Sequence, residues 1–270
     1  VGYVNGQVHT GAKIISDKGN IQLISNKGLS ISGSAIDAKD GKVHLEAAGT
    51  LDGEGYNIQG KYNNSAENSV KKGIIKGSII IDANQDSYEQ GSPSSNDYRW
   101  FSPVSATAIN GSKGISIKAT GKQATDNLIL QGVAITSDKD VNIEAYKNII
   151  FDTAINNSFN KSQKTETKRK WYGKKKTIIT TQTAESSDGL SVYINAQNIN
   201  IKSQEKNTDA MVGQNRTSID MYSSQLTAVD GKINIQAGGD LNFLTADDVS
   251  LSTTDITKKS SFLGIKLNNS

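Results

Sequence analysis

The 270-residue chain has no cysteine, two prolines and two histidines. Without cysteine there is no disulfide framework and no thiolate metal or redox chemistry, although no compartment is fixed by that. Of the histidines, His9 and His44, the second lies between Val43 and Leu45, so strand alternation turns it to the outer surface, the ordinary place for a non-catalytic imidazole. Aromatics are 6% of residues and hydrophobics 35%, too few for a broad globular core and better suited to a narrow core repeated along an axis. No stretch approaches the ~18–20 apolar residues of a membrane-spanning helix. Charge of one sign is lacking too. Thirty bases against 27 acids give a net +3, so no chain-wide attraction to nucleic acid is expected and only local patches remain. The chain opens on Val1 in mid-pattern with no visible signal peptide, and reads as part of a longer protein.

What is present is repetition. NIQLISNKGLSISGSAIDAKDG (20–41) and KVHLEAAGTLDGEGYNIQGKYN (42–63) place Ile21 against Val43, Leu23 against Leu45, Leu29 against Leu51 and Ile36 against Ile58, each 22 residues on. Apolar residues recur at i, i+2, the strand period, with Gly, Asn, Asp and Ser between the pairs where turns need them. The same cassette returns as AIDAKDGKVHLEA (35–47), AINGSKGISIKA (108–119), AITSDKDVNIEA (134–145), YINAQNINIKS (193–203) and QLTAVDGKINIQA (225–237). If these stack, Asp37, Asn110, Thr136, Asn195 and Thr227 form one polar column that caps turns and links neighbouring coils. A repeat of about 20 residues with short strands and no helical period predicts an all-β chain: a parallel β-helix, a solenoid with ~20–22-residue coils. Seven or eight coils are countable, a rod on the order of 35–40 Å at ~4.8 Å per coil. A transmembrane barrel needs longer strands and aromatic girdles, and a sandwich does not explain a fixed 22-residue offset.

Insertions at 84–107, 156–188 and 203–217 interrupt an otherwise single 1–270 segment. The first carries Pro93, Pro103 and the aromatics Tyr98, Trp100 and Phe101. The second carries KTETKRKWYGKKKT (164–177), and between Lys161 and Lys176 eight bases face one acid, Glu166. Residues 162–171 and 174–183 read as a strand pair folding about Tyr172-Gly173. Trp100 and Trp171 both fall in insertions, since a thin core has little room for indole, and both are expected outside the rod or against a partner. A longer period of 91 residues relates Ile135 to Leu226 and Gly173 to Gly264, so TKKSSFLGIK (257–266) is a weaker copy of TKRKWYGKKK.

The basic stretch admits two main readings. One is a solvated hairpin whose lysines protect a sheet edge. The other is a polyanion or lipid-headgroup contact made by Lys168, Arg169, Lys170, Lys174, Lys175 and Lys176, with Trp171 and Tyr172 at the interface. Nucleic acid is a weaker use of the same charges. No HExxH, GxSxG, P-loop or strand-borne GxGxxG occurs, the lone Gly238-Gly239-Asp240 is no calcium repeat, and no arginine lies inside a cassette. No enzyme, catalytic residue, cofactor or metal is therefore expected, the rival being a β-helical polysaccharide lyase or hydrolase.

The cassettes, typified by DGKINIQAGGDLNF (230–243), resemble haemagglutinin-type repeats, and NKSQKTETKRKWYGKKKTIITTQT (160–183) is similar to the insertion in the second repeat block of filamentous haemagglutinins and CdiA-type exoproteins. That resemblance covers most of the chain and implies a right-handed parallel β-helix, exported through an outer-membrane two-partner transporter and secreted to the surface of a Gram-negative bacterium. It further implies a monomeric segment that engages a target cell's outer membrane, lipopolysaccharide or surface receptor in contact-dependent growth inhibition. The adhesin alternative is a haemagglutinin binding host glycans, with Tyr98, Trp100 and Phe101 as the candidate contacts.

Overall fold

The computed structural model describes residues 4–51, 56–58, 73–92, 94–206, 217–246, 248–262 and 265–267, and no helix occurs among them. Residues 207–216 of the third insertion, Pro93, and Leu263 and Gly264 of the second aromatic-glycine copy lie outside that set.

After the short strand β1 (Val4–Gln7) the chain runs through three sheets in turn, repeatedly. The first circuit is β2 (Lys13–Ser16), β3 (Ile21–Ser25) and β4 (Leu29–Ser32). The second begins with β5 (Ala35–Ala38) and β6 (Val43–Ala47), makes an antiparallel excursion through β7 (Tyr56–Ile58) and β8 (Gly73–Ile75), and closes with β9 (Gly77–Asp82). Four strands then leave the stack: β10 (Asn84–Gln85), β11 (Ser87–Gly91), β12 (Asp97–Ser102) and β13 (Val104–Ser105). The third circuit is β14 (Thr107–Gly111), β15 (Ile115–Ala119) and β16 (Asn127–Gln131), and the fourth β17 (Val133–Thr136), β18 (Val141–Ala145) and β19 (Ile149–Asp152). A long hairpin follows, β20 (Ala154–Arg169) and β21 (Lys174–Leu190). The fifth circuit is β22 (Tyr193–Ala196), β23 (Ile199–Ser203) and β24 (Ser218–Tyr222). The sixth is β25 (Gln225–Ala228), β26 (Ile233–Gln236) and β27 (Asp240–Leu244), and β28 (Val249–Phe262) and β29 (Ile265–Leu267) come last.

Each circuit adds one strand to each of three six-stranded parallel sheets, ordered β2-β5-β14-β17-β22-β25, β3-β6-β15-β18-β23-β26 and β4-β9-β16-β19-β24-β27. The cassettes are in register, so like residues form columns. Val43, Ile115, Val141, Ile199 and Ile233 make one, and Leu45, Ile117, Ile143, Ile201 and Ile235 the next on the same face. In the third sheet Ile81, Leu130, Phe151 and Met221 are successive partners. The burial of β18 alternates strictly, with Val141, Ile143 and Ala145 buried and Asn142 and Glu144 half-exposed. Each such side chain contributes about 1.5–3 kcal/mol by leaving water, but only once neighbouring circuits cover it. The expected polar column is also present: Asp37, Asn110, Thr136, Asn195 and Thr227 pair in that order.

Two expectations fail. Leu29 pairs with Ile79, not Leu51, and Ile36 pairs with Ile14 and Ile109, not Ile58. The 22-residue offset holds for Ile21–Val43 and Leu23–Leu45 and then ends, because the chain leaves the stack after Gly49 and returns at Gly77. Leu51 instead packs with Ile80, Ile129 and Ile150, closing the outer side of the third sheet. Six circuits, not seven or eight, are present among the described residues; five intervals of ~4.8 Å give ~24 Å between the first and last strands of a sheet.

Excursions leave at fixed corners. Between the third and first sheets, circuits one, three and five pass on through tight turns, while circuits two, four and six are followed by β10–β13, β20–β21 and β28–β29. The three tight turns share a left-handed residue, Gly33 (φ 52°), Gly132 (φ 58°) and Ser223 (φ 44°). The backbone N–H of each donates to the end of the next third-sheet strand, at Asp82, Asp152 and Leu244.

Candidate partner-binding surface

The excursions at that corner do not project separately. They join edge to edge into one antiparallel sheet, ordered β1-β11-β12-β20-β21-β28-β29. Two circuits add two strand spacings to the stack and each hairpin adds two strands, so successive hairpins stay level with one another. The 91-residue period has this origin: Ile135 and Leu226 both neighbour Ile194, two circuits apart.

β20 and β21 pair from Ala154↔Leu190 to Arg169↔Lys175, a hairpin ~50 Å long. Their Thr, Ser and Lys content suits strands exposed on both faces, and cross-strand bonds link Gln163 to Thr181 (3.0 Å) and Thr183 to Thr253. At the turn, Lys170 N–H donates to the Lys174 carbonyl (2.8 Å) and Gly173 N–H to that of Lys170 (3.0 Å). Gly173 has φ 84°, which glycine reaches without steric cost. The turn pushes Trp171 into solvent, 97% exposed, with its ring edge-on to Tyr172 at 5.7 Å and Lys170 Nζ 5.6 Å from the Tyr172 ring.

The charge at this end is concentrated further by the fold. Lys168 lies opposite Lys176, and Arg169 opposite Lys175. From the far side β28 adds Lys258 opposite Ile178 and Lys259 opposite Thr177. Like charges directly across strands destabilise by about 0.2–1 kcal/mol per pair, so packing alone does not select this arrangement. The nearest acid, Glu166, is bridged by Lys164 at 2.8 Å, and that hydrogen bond, with the lysine's charge, holds its carboxyl below the usual range. Lys168, Arg169, Lys170, Trp171, Tyr172, Lys174, Lys175 and Lys176 are all exposed, so the sequence-predicted group is brought together at one tip. Lys258 and Lys259 were outside the predicted set; the 91-residue copy was the signal for them.

Tyr98, Trp100 and Phe101 belong to the same sheet but to its root, because β12 pairs only with Asn157–Ser162 of β20. They are also divided. Tyr98 and Trp100 share one face, where Tyr98 lies 5.8 Å from Phe159; Phe101 points to the other and stacks on Tyr88 at 4.6 Å. Burial, then the neighbouring Glu89, raises the Tyr98 hydroxyl above its ordinary value. A cleft of about 440 Å³ beside β1 is lined by Tyr88, Tyr98, Trp100 and Phe101. His44 sits on the outer face as expected, half-buried, with Nε2 2.9 Å from Glu46 Oε2.

Among the described residues no three His, Asp or Glu side chains converge as metal ligands, and no helix is long and apolar enough to cross a membrane. No protein-family model, curated protein or solved structure matches the chain.

Proposed function

We propose that the chain is a non-catalytic segment of a secreted exoprotein of the filamentous haemagglutinin or CdiA type. In it the three parallel sheets close into a right-handed β-helix, and the merged hairpin sheet holds its basic tip out to the outer membrane of a target cell. Display on the surface of a Gram-negative bacterium, export through a two-partner transporter and a part in contact-dependent toxin delivery follow from the same reading.

The observation that carries it is the tip. Six bases of the β20–β21 turn and two of β28 stand together beside a fully solvated indole, in an arrangement that costs stability through like-charge pairs. An anionic headgroup layer offsets that cost, each base contributing up to about 1 kcal/mol near such a surface, while Trp171 and Tyr172 suit the interfacial zone.

The test is binding to lipopolysaccharide-bearing outer-membrane vesicles as a function of salt. Replacing Lys168, Arg169, Lys170, Lys174, Lys175 and Lys176 by Gln is expected to weaken binding at least about tenfold and flatten its salt dependence. Trp171→Ala weakens it further without changing thermal stability. Vesicle binding that is unchanged by the six replacements sinks the reading.

A further inference from the structure

We infer that the corner between the first and second sheets is a binding groove for an extended acidic polysaccharide. It lies away from the hairpin corner and is independent of the membrane reading.

A groove of about 690 Å³ runs there across circuits one to five, from Asn20 and Gln22 to Gln197 and Asn198. Four intervals of ~4.8 Å make it ~19 Å long. Its cations stand on successive circuits: Lys42 on the second, Lys113 on the third and Lys139 on the fourth. Lys113 meets Asp40 at 2.7 Å, both side chains largely exposed. Lys42 and Lys139 have no carboxylate within ion-pair distance among the described residues. Among the described residues Asp140 is the one carboxylate on the groove wall, and Asn198 Nδ2 donates to it at 2.7 Å.

Besides Ile21, Val43 and Ile115, the wall carries amide, hydroxyl and imidazole side chains that both donate and accept. Asn142 accepts from Asn200 at 3.0 Å, and Asn20 and Asn198 each accept a backbone N–H, from Lys42 and Lys232, at 2.8 Å. Gln22, His44, Ser116 and Asn142 repeat along the middle of the second sheet in direct register.

That repeat selects the ligand. Inside the stack the backbone groups are already paired between circuits, so a peptide cannot add as a strand here, as it would at a sheet edge. A pyranose unit is about as long as the ~4.8 Å strand spacing, so consecutive sugars meet consecutive circuits. Amide and hydroxyl side chains match sugar hydroxyls and lysines match uronate or sulfate groups, and among the described residues the His44 imidazole is the one ring on the groove wall.

The probes are oligogalacturonate, oligoalginate and hyaluronan oligosaccharides of graded length, with dextran and poly-glutamate as controls, titrated calorimetrically into the full chain. At least one acidic oligosaccharide should bind, tighten with length up to about five sugars, and then level off as the circuits are used up. The triple variant Lys42→Gln, Lys113→Gln, Lys139→Gln should weaken it by about tenfold, with the circular dichroism spectrum unchanged. The six-base hairpin variant should leave it intact. The inference is overturned if none of the three oligosaccharides binds, if the triple variant binds as well as the parent, or if poly-glutamate or dextran binds as tightly.

Discussion

Gly132→Ala tests the logic of the corner from which the hairpins leave. Gly132 links β16 to β17 with φ 58°, a conformation that costs an L-residue about 1 kcal/mol or more. A methyl group there would also lie 2.7 Å from the Ala154 Cβ and 3.0 Å from that of Ala83, the residues at which the two excursions diverge from the stack. Neither neighbour is the free end of a flexible chain, so backbone must move, and overpacking of this kind costs about 1–3 kcal/mol. Together these predict a loss of about 2–4 kcal/mol, measured by urea unfolding followed in the far-ultraviolet circular dichroism. Ser223→Gly is the control at the equivalent turn. It removes a left-handed serine (φ 44°) but also the Oγ that accepts the Ala246 N–H at 2.8 Å, so gain and loss nearly cancel, to within about 0.5 kcal/mol. If Gly132→Ala falls within about 0.5 kcal/mol of the parent, the turn is not constrained by the departing chain.

Two half-buried carboxyl groups give pH dependences of opposite sign. Asp82, at the end of β9, has an Oδ1 without a hydrogen-bond partner, and burial pushes its carboxyl above the usual value against a weaker effect of Ser32. Its folded pKa therefore exceeds the unfolded one: its relative stabilisation is full below the unfolded value and is lost as pH rises through the folded one. Asp82→Asn should raise the neutral-pH melting temperature, by about 1 kcal/mol in stability, and lose that advantage near pH 3. At Glu205 burial acts to raise the carboxyl, but the Lys147 ammonium and the Thr217 hydroxyl (2.7 Å) outweigh it and hold it below the usual range. Its stabilisation is present above the unfolded pKa and lost on acidification, and Glu205→Gln should cost about 1–2 kcal/mol at pH 7 and nothing in strong acid. Thermal melts across pH check both, and equal effects at the two pH extremes refute the assignment.

The parts of the fold legible in the sequence were those with strict local periodicity. Every cassette from Ala35–Ala47 to Gln225–Ala237 lies in the first and second sheets and in the register its alternation dictates. The third sheet was less legible. Its strands follow turns of very different length, so Leu29 was matched by offset to Leu51 when its partner is Ile79. Pairing between insertions was invisible for a related reason. Asp97–Ser102 and Asn157–Ser162 are 60 residues apart and share no pattern; they meet because both chains leave one corner two circuits apart. The tip residues were legible as composition. Their like-charge pairing with each other, and with Lys258 and Lys259 on β28, required the register.

The register also separates the two roles proposed for the lysines. A two-stranded ribbon of 16-residue strands, exposed on both faces, is marginal by itself. Here β28 covers the outer edge of β21 from Lys174 to Ser187, and β12 covers the root of β20. Toward the tip, Gln163–Arg169 of β20 have no partner strand on the side away from β21. Lys164, Lys168 and Arg169 therefore guard an edge against unwanted strand addition, as lysines on edge strands do. Lys174, Lys175 and Lys176 sit on a strand paired along both sides, where there is no edge to guard. Their charge opposes the neighbouring bases without protecting an edge, so the proposed membrane contact predicts that replacing these three by Gln weakens vesicle binding more than replacing Lys164, Lys168 and Arg169.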